Sequence, residues 1–264
     1  KDNSKYQINI DLNENIFIKF IKFKNDIKKK NNIKSSFTIK KKKILINNLD
    51  FVENKNLISI KGIKINKKNQ LEKFDTIKVV TFNDNRENNN FQIGFKKKRI
   101  IIEGKKYDGF FLSELINSKN QSSYLKNINK EIKIKIEEVI TKSLKPLKNF
   151  NLLGEIERGK FTKISAKGDF GNDKYLDISL KTISKNQKIL EIYSDYPTSL
   201  LAEYKFFDGL KDGKLIYTSN ISKDSSKSKL IIENFKVIKA PAFATLLTLA
   251  DLGGVADLLS GEGI

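Results

Sequence analysis

The sequence predicts an all-β-dominated fold: a long, curved, mainly antiparallel sheet that forms a groove or trough, accompanied by a few short helices. Apolar residues recur at every second position over short runs, such as Ile8, Ile10 and Leu12 or Phe91, Ile93 and Phe95. Period two is the pattern of a strand with one apolar and one polar face. Clusters rich in Asn and Asp separate the runs; these residues tolerate left-handed backbone and hydrogen-bond their own turns, so they favour hairpins over domain linkers. Apolar spacing of three and four residues, which a helix requires, is missing until about Tyr107.

Taken in order, Ile16, Ile18 and Phe20 form the second run, with a change of phase at Ile21 and Phe23. Shorter alternations follow at Phe37 and Ile39, Ile44 and Ile46, Ile58 and Ile60, Ile63 and Ile65, Ile77 and Val79, and Ile100 and Ile102. Turns are expected at 24–32, Asn47-Asn48, 53–56, 66–69 and 83–90. Lys61-Gly62, between two isoleucine pairs, marks either a tight hairpin or a bulge. Phe110, Phe111, Leu115 and Ile116 then share a helical face, so a short helix is expected over about 110–117, with Asp108 or Ser113 as its cap.

The polar stretch 118–126 is the best loop or boundary, which divides the chain into an alternating-strand segment, 1–117, and a second segment, 127–264. Ile132, Ile134 and Ile136 resume strand alternation. Residues 144–151 contain Pro146 and are expected to be a connection or an edge. Further strands are expected at Leu152-Leu153, 159–167, 175–183 and 188–193, with 168–173 as a hairpin turn. Pro197 lies near the start of a helix over about 198–207 carrying Leu200, Leu201 and Tyr204, and 214–221 alternates again.

The last stretch, 229–264, begins as a strand in which Leu230 and Ile232 are followed, after Glu233-Asn234, by Phe235 and Val237. It then changes period: Pro241 suits a first helical position, and Phe243, Leu246, Leu247 and Ala250 make one stripe of a helix over about 241–251. Gly253-Gly254 stops that helix, and Val255, Leu258 and Leu259 form a second one over about 254–260, closed by Gly261 and Gly263.

This order of strand, Asn234-Phe235, Ala240-Pro241, Leu246-Leu247, Gly253-Gly254, Leu258-Leu259 and Gly261-Glu262-Gly263-Ile264 resembles the C-terminal region of the AsmA-like family, in its long YhdP-type members. Gly104 to Leu115 is similar, less specifically, to a family segment in which a strand ending in Gly leads into a short helix. Ser194-Asp195, the Leu200-Leu201 helix and the strand after Gly213 also fall in family order, although Tyr196-Pro197-Thr198 replaces the more usual Ala-Gly. The likeness covers roughly 130–264 by motif and 1–103 by pattern only. It implies a fragment of a periplasmic protein anchored to the inner membrane outside this segment, which helps move phospholipid to the outer membrane and maintain outer-membrane integrity. On that reading Ile132, Ile134, Ile136, Ile178 and Leu180 line a groove for acyl chains, and the terminal helices cap one end of it or touch a membrane surface or envelope protein.

Composition narrows the other classes. The 264 residues can bury a substantial core, and 39% hydrophobic content is too high for a disordered chain. With no Met and Lys1 as first residue, the chain is read as a piece of a longer polypeptide. Its longest apolar run, Ala240 to Leu252, is too short to span a bilayer, so a soluble or peripheral segment is expected.

The net charge of +20 invites a nucleic-acid reading. Yet only Arg86, Arg99 and Arg158 among 51 basic residues are Arg, the residue suited to bidentate phosphate recognition. Lys, Asn, Ile and Phe abound together, as an A/T-rich coding sequence would produce. From Ile192 onward 8 Lys face 9 carboxylates, so the motif region is close to neutral. No nucleic-acid partner is expected.

With no Cys and no His, disulfides, thiolate metal sites and the usual nucleophile–base pairs are removed. The carboxylate pairs Glu137-Glu138, Asp173/Asp177 and Asp208/Asp212 read as solvated surface or turn residues, and Asp169-Phe170-Gly171 lacks the His and Gly-rich loop that a kinase site needs. A non-enzymatic protein without cofactor or metal is expected. The rival to lipid transfer is a structural β-rich repeat or scaffold with a closed dry core, and sequence alone does not separate an open apolar face from a covered one.

Overall fold

The structure is a computed structural model that describes residues 3–40, 43–65, 71–96, 99–110, 129–142, 145–201, 210–223 and 225–238. It divides into two compact units, Lys1–Asp108 and Gly109–Ile264. Both are antiparallel β-sheets, so the all-β expectation is met. Of the expected helices, the first turn of the 198–207 helix is present as α1 (Pro197–Leu201), with Pro197 in its opening position. The helices expected at 110–117, 241–251 and 254–260 lie on or beyond the edges of the described residues, as do all motif positions from Ala240 to Gly263.

The first unit runs β1 (Asn3–Asp11), β2 (Phe17–Ile18), a 3-10 turn (Lys19–Ile21), β3 (Phe23–Lys24), β4 (Asn31–Lys40), β5 (Lys43–Glu53), β6 (Asn56–Ile65), β7 (Leu71–Lys73), β8 (Thr76–Asn83), β9 (Arg86–Lys96) and β10 (Arg99–Asp108). Its main sheet has the order β1-β4-β5-β6-β8-β9-β10, with β7 paired to β6, and among the described residues β2 and β3 pair with each other in a small separate sheet. The second unit runs β11 (Lys130–Ile140), β12 (Leu147–Glu157), β13 (Lys160–Gly171), β14 (Lys174–Ser184), β15 (Gln187–Ser194), α1, β16 (Leu210–Ser222) and β17 (Ser226–Val237), each strand beside its sequence neighbour.

Three hairpins close on two-residue turns with both residues in the left-handed region, which Asn, Asp and Gly enter at least cost. They are Asp84-Asn85, Arg158-Gly159 and Asn172-Asp173. Several turns are therefore shorter than the polar clusters suggest. Asn47-Asn48 lies inside β5, where the β4–β5 register shifts next to Asn48; Arg86 to Asn90 belongs to β9; and Gly168 to Gly171 belongs to β13. Pro146 directly precedes β12, where a missing N–H costs nothing, so Leu147 to Asn151 is strand and not connection. The segment 24–32 is no hairpin loop either, since Asn31 and Asn32 open β4.

Breaks of phase in the apolar pattern coincide with single left-handed residues inside strands. Ile58 and Ile60 pair across β5 with Phe51 and Leu49, and Ile63 pairs with Ile46, so β6 is one strand and the hairpin alternative at Lys61-Gly62 is excluded. Gly62, at φ 65°, turns the strand by one position, and a Cβ there would lie 2.0 Å from the Asp75 carboxylate. Asn149 (φ 51°) acts likewise between Leu147 and Phe150, and Gly213 (φ 96°) and Asn234 (φ 54°) do so in β16 and β17. A spacing of three in place of two thus keeps both apolar residues on one face.

Candidate functional site

In the second unit the register stacks the apolar residues into rows across the sheet. Ile134 of β11 faces Leu152 of β12, which faces Ala166 of β13, then Ile178 of β14, Ile192 of β15, Tyr217 of β16 and Leu230 of β17. The next row runs Ile132, Gly154, Ile164, Leu180, Leu190, Ser219 and Ser228. Side chains opposite one another in antiparallel strands share a face. The five predicted groove residues Ile132, Ile134, Ile136, Ile178 and Leu180 are therefore on one side of one sheet.

Their exposure differs. Leu180 and its neighbour Leu190 have no accessible surface, and Ile136 retains 2%. Ile132, Ile134 and Ile178 are half-buried. An acyl chain laid on this face would meet Ile132, Ile134 and Ile178 directly, whereas Leu180 and Ile136 are already covered by the protein itself. Each fully buried Leu or Ile contributes about 1.5–3 kcal/mol, so the middle of the face is first of all a core.

Polar groups missed by the sequence reading interrupt that face. Tyr217 donates to Ser228 Oγ at 3.0 Å, and Ser228 donates to Ser219 Oγ at 2.9 Å, a hydroxyl chain in which Ser219 has no exposed surface. Strand periodicity gave no signal for it, because Ser alternates with Asn and Thr in β16 as any outward polar residue would.

The Ser194-Asp195-Tyr196-Pro197 step closes one end of the sheet. Asp195 donates its N–H to the Tyr175 carbonyl at 2.9 Å, and its carboxylate accepts the Tyr193 hydroxyl at 2.5 Å and the Tyr175 N–H at 3.1 Å. That hydrogen bond to Asp195, with burial and the carboxylate charge behind it, pushes the Tyr193 hydroxyl pKa upward. Tyr196 packs its ring against Phe170 at 5.4 Å between centroids and lies under the ammonium groups of Lys145 and Lys174, at 5.2 and 5.9 Å.

The first unit has its own apolar face, formed by rows such as Ile33, Phe51, Ile58, Val79 and Phe91. Here the segment between β1 and β4 folds back over the sheet. Ile21 and Phe23 are 2% and 3% exposed, and Phe23 meets Phe51 edge-on with centroids 5.6 Å apart. Polar residues at the end of the same face hold the segment in place. Asn89 donates to the Ile21 carbonyl at 2.7 Å and to Thr81 Oγ1 at 2.8 Å, and accepts the Asp108 N–H at 2.8 Å. Glu53 accepts the Asp26 N–H at 3.0 Å and the Asn56 amide at 2.9 Å. Tyr107 donates to the Phe20 carbonyl at 3.0 Å. The side-chain amide oxygens, Oδ1, of Asn31 and Asn32 are buried without a hydrogen-bond partner among the described residues.

The predicted carboxylate pairs are not brought to a common point. Asp177 is 3.3 Å from Lys167 and Asp212 is 4.0 Å from Lys174. Asp173 accepts from the Tyr175 hydroxyl in its hairpin turn, and Asp208 lies outside the described residues. Asp169-Phe170-Gly171 is the end of β13, with Phe170 6% exposed and Asp169 accepting the Gly171 N–H, which is a turn's hydrogen bonding. Among the described residues no cluster of three or more Asp or Glu is placed to hold a metal ion, and no helix is long and apolar enough to cross a membrane. No family model matches the chain, and no curated protein or solved structure matches it.

Proposed function

We propose that this chain is a non-enzymatic, AsmA-like groove protein of the bacterial periplasm, held to the inner membrane by a part of the polypeptide outside this segment, that assists phospholipid movement to the outer membrane. The reading is supported above all by Ile132, Ile134 and Ile178, which stay half-open on two adjacent rows of the face that buries Ile164, Leu180 and Leu190. Acyl chains on such a surface are held by loss of water contact, which has no preferred direction, so they are retained yet able to slide.

Lipid extraction and mass spectrometry of the gently purified chain tests the proposal. Phospholipid is expected to co-purify, and Ile134→Asp is expected to remove most of it. Leu153→Asp, on the opposite face where that side chain is 55% exposed, is expected to leave it unchanged. Absence of lipid across preparations, or equal loss in both folded variants, would sink the groove. A closed-core scaffold is the second reading, favoured by the complete burial of Leu180 and Leu190, and lipid-free protein of unchanged stability is its expected result.

A further inference from the structure

We infer that the fold-back of the first unit closes on a sodium site, held by the Glu53 carboxylate and the side-chain oxygen of Asn31. Asn31 opens β4 and lies directly opposite Glu53, the last residue of β5. Opposed residues of an antiparallel pair put their side chains on one face. Both side chains are 1% exposed. Both also grip the fold-back at Asp26: Glu53 accepts its N–H at 3.0 Å, while Asn31 Nδ2 donates to its carbonyl and to that of Lys29, each at 2.9 Å.

Two deficits meet at this point. The partners of Glu53, the Asp26 N–H and the Asn56 amide at 2.9 Å, are neutral donors, and among the described residues no Lys or Arg pairs with its carboxylate. A buried carboxylate without a counter-charge is costly. On the neighbouring strand Asn31 Oδ1 is buried with no donor among the described residues. Its amide cannot be turned over to correct this, because Nδ2 already serves two carbonyl oxygens, which need an N–H there. The Asp26 carboxylate belongs to the outside: it is 44% exposed and engaged by the Lys28 N–H at 3.0 Å and the Lys29 ammonium at 3.5 Å.

A carboxylate and an amide oxygen, with two carbonyls alongside that each keep a second lone pair, form an oxygen set for a hard cation. Charge selects a monovalent one. A single inward carboxylate is neutralised by one positive charge, whereas a divalent ion would leave a buried charge of its own. Space selects a small one, since Asn31 Oδ1 is closed to water and a bare sodium ion is smaller than a water molecule. Bound there, sodium ties the segment that carries Ile21 and Phe23 to the end of the sheet, so the cover over Phe51 depends on the ion.

Native-state hydrogen exchange tests this on the chain as it stands. The amides of Asn25, Asp26 and Lys29 bond within the fold-back or to Glu53, so they exchange when it lifts. An ion bound only to the closed segment should slow them about tenfold for each tenfold rise in sodium chloride above its dissociation constant, with ionic strength held fixed by tetramethylammonium chloride. Amides of β11 to β17 should not respond. In Glu53→Gln no counter-charge is needed and the new amide is able to donate to Asn31 Oδ1, so the sodium response should vanish while exchange stays slow. Equal exchange in sodium and in tetramethylammonium, as a trapped water would give, would overturn the inference. A response of the same size in β11 to β17 would do so too, since it would be a general salt effect. The wild-type titration decides the matter even where Glu53→Gln fails to fold, and a folded Glu53→Gln that keeps the sodium response would also overturn it.

Discussion

Replacing Leu180 with Ala measures directly whether the second unit's apolar face is core or open surface. Leu180 has no exposed surface, and the residues opposite it, Ile164 on β13 and Leu190 on β15, are 5% and 0% exposed. A site packed on both sides collapses poorly around a deleted side chain, so the loss should fall within the usual range for buried Leu→Ala, about 3–4 kcal/mol. Ile178→Ala, one row away and half-buried, should cost about 1–2 kcal/mol because part of its surface is already wet. With a urea m-value of about 3 kcal/mol per M, the first change lowers the unfolding midpoint by about 1.2 M and the second by about 0.5 M. Urea titration followed by circular dichroism reads both. If Leu180→Ala moved the midpoint by no more than Ile178→Ala, with m unchanged, Leu180 would not be core and the assignment of covered and open positions would be wrong.

Three further outcomes follow from particular contacts. Asn89→Ala removes two donated bonds and one accepted bond at a buried position; it should cost about 2–4 kcal/mol, and amides of 16–24 should exchange faster with deuterium while those of β11 to β17 do not. Gly104→Ala would place a Cβ 2.3 Å from the Asn90 carbonyl oxygen and 2.5 Å from Phe91 Cα. Both obstacles are backbone of the paired strand, so a loss of about 3 kcal/mol or more is expected in the same urea titration. Burial, with the neighbouring Asp108 charge second, pushes the Tyr107 hydroxyl pKa well up. The folded state therefore keeps a proton that the unfolded chain gives up near pH 10, and its stability should be full below about pH 10 and fall above it. Tyr107→Phe should flatten that decline in thermal unfolding measured from pH 8 to 11.

The amino-acid sequence by itself determined the strands, their apolar faces and the places where the pattern changes phase. Ile58, Ile60 and Ile63, or Ile232 and Phe235, announce through a spacing of three that a left-handed residue lies between them, because only such a residue returns the next side chain to the same face. That Ile132, Ile134 and Ile136 share one side of β11, and Ile178 and Leu180 one side of β14, follows from the same periodicity, although only the register through β12 and β13 brings the two sides together. Which of them is covered does not, since burial depends on what other part of the chain lies over a face, and alternation is identical for Ile134 and Leu180. The fold-back of 12–30 over Phe51, and the inward Asn89, Thr81 and Glu53 that hold it, were likewise decided only by tertiary structure. A polar residue at an inward position is legible as buried only once its hydrogen-bond partner, here 68 residues away for Asn89 and Ile21, is brought beside it.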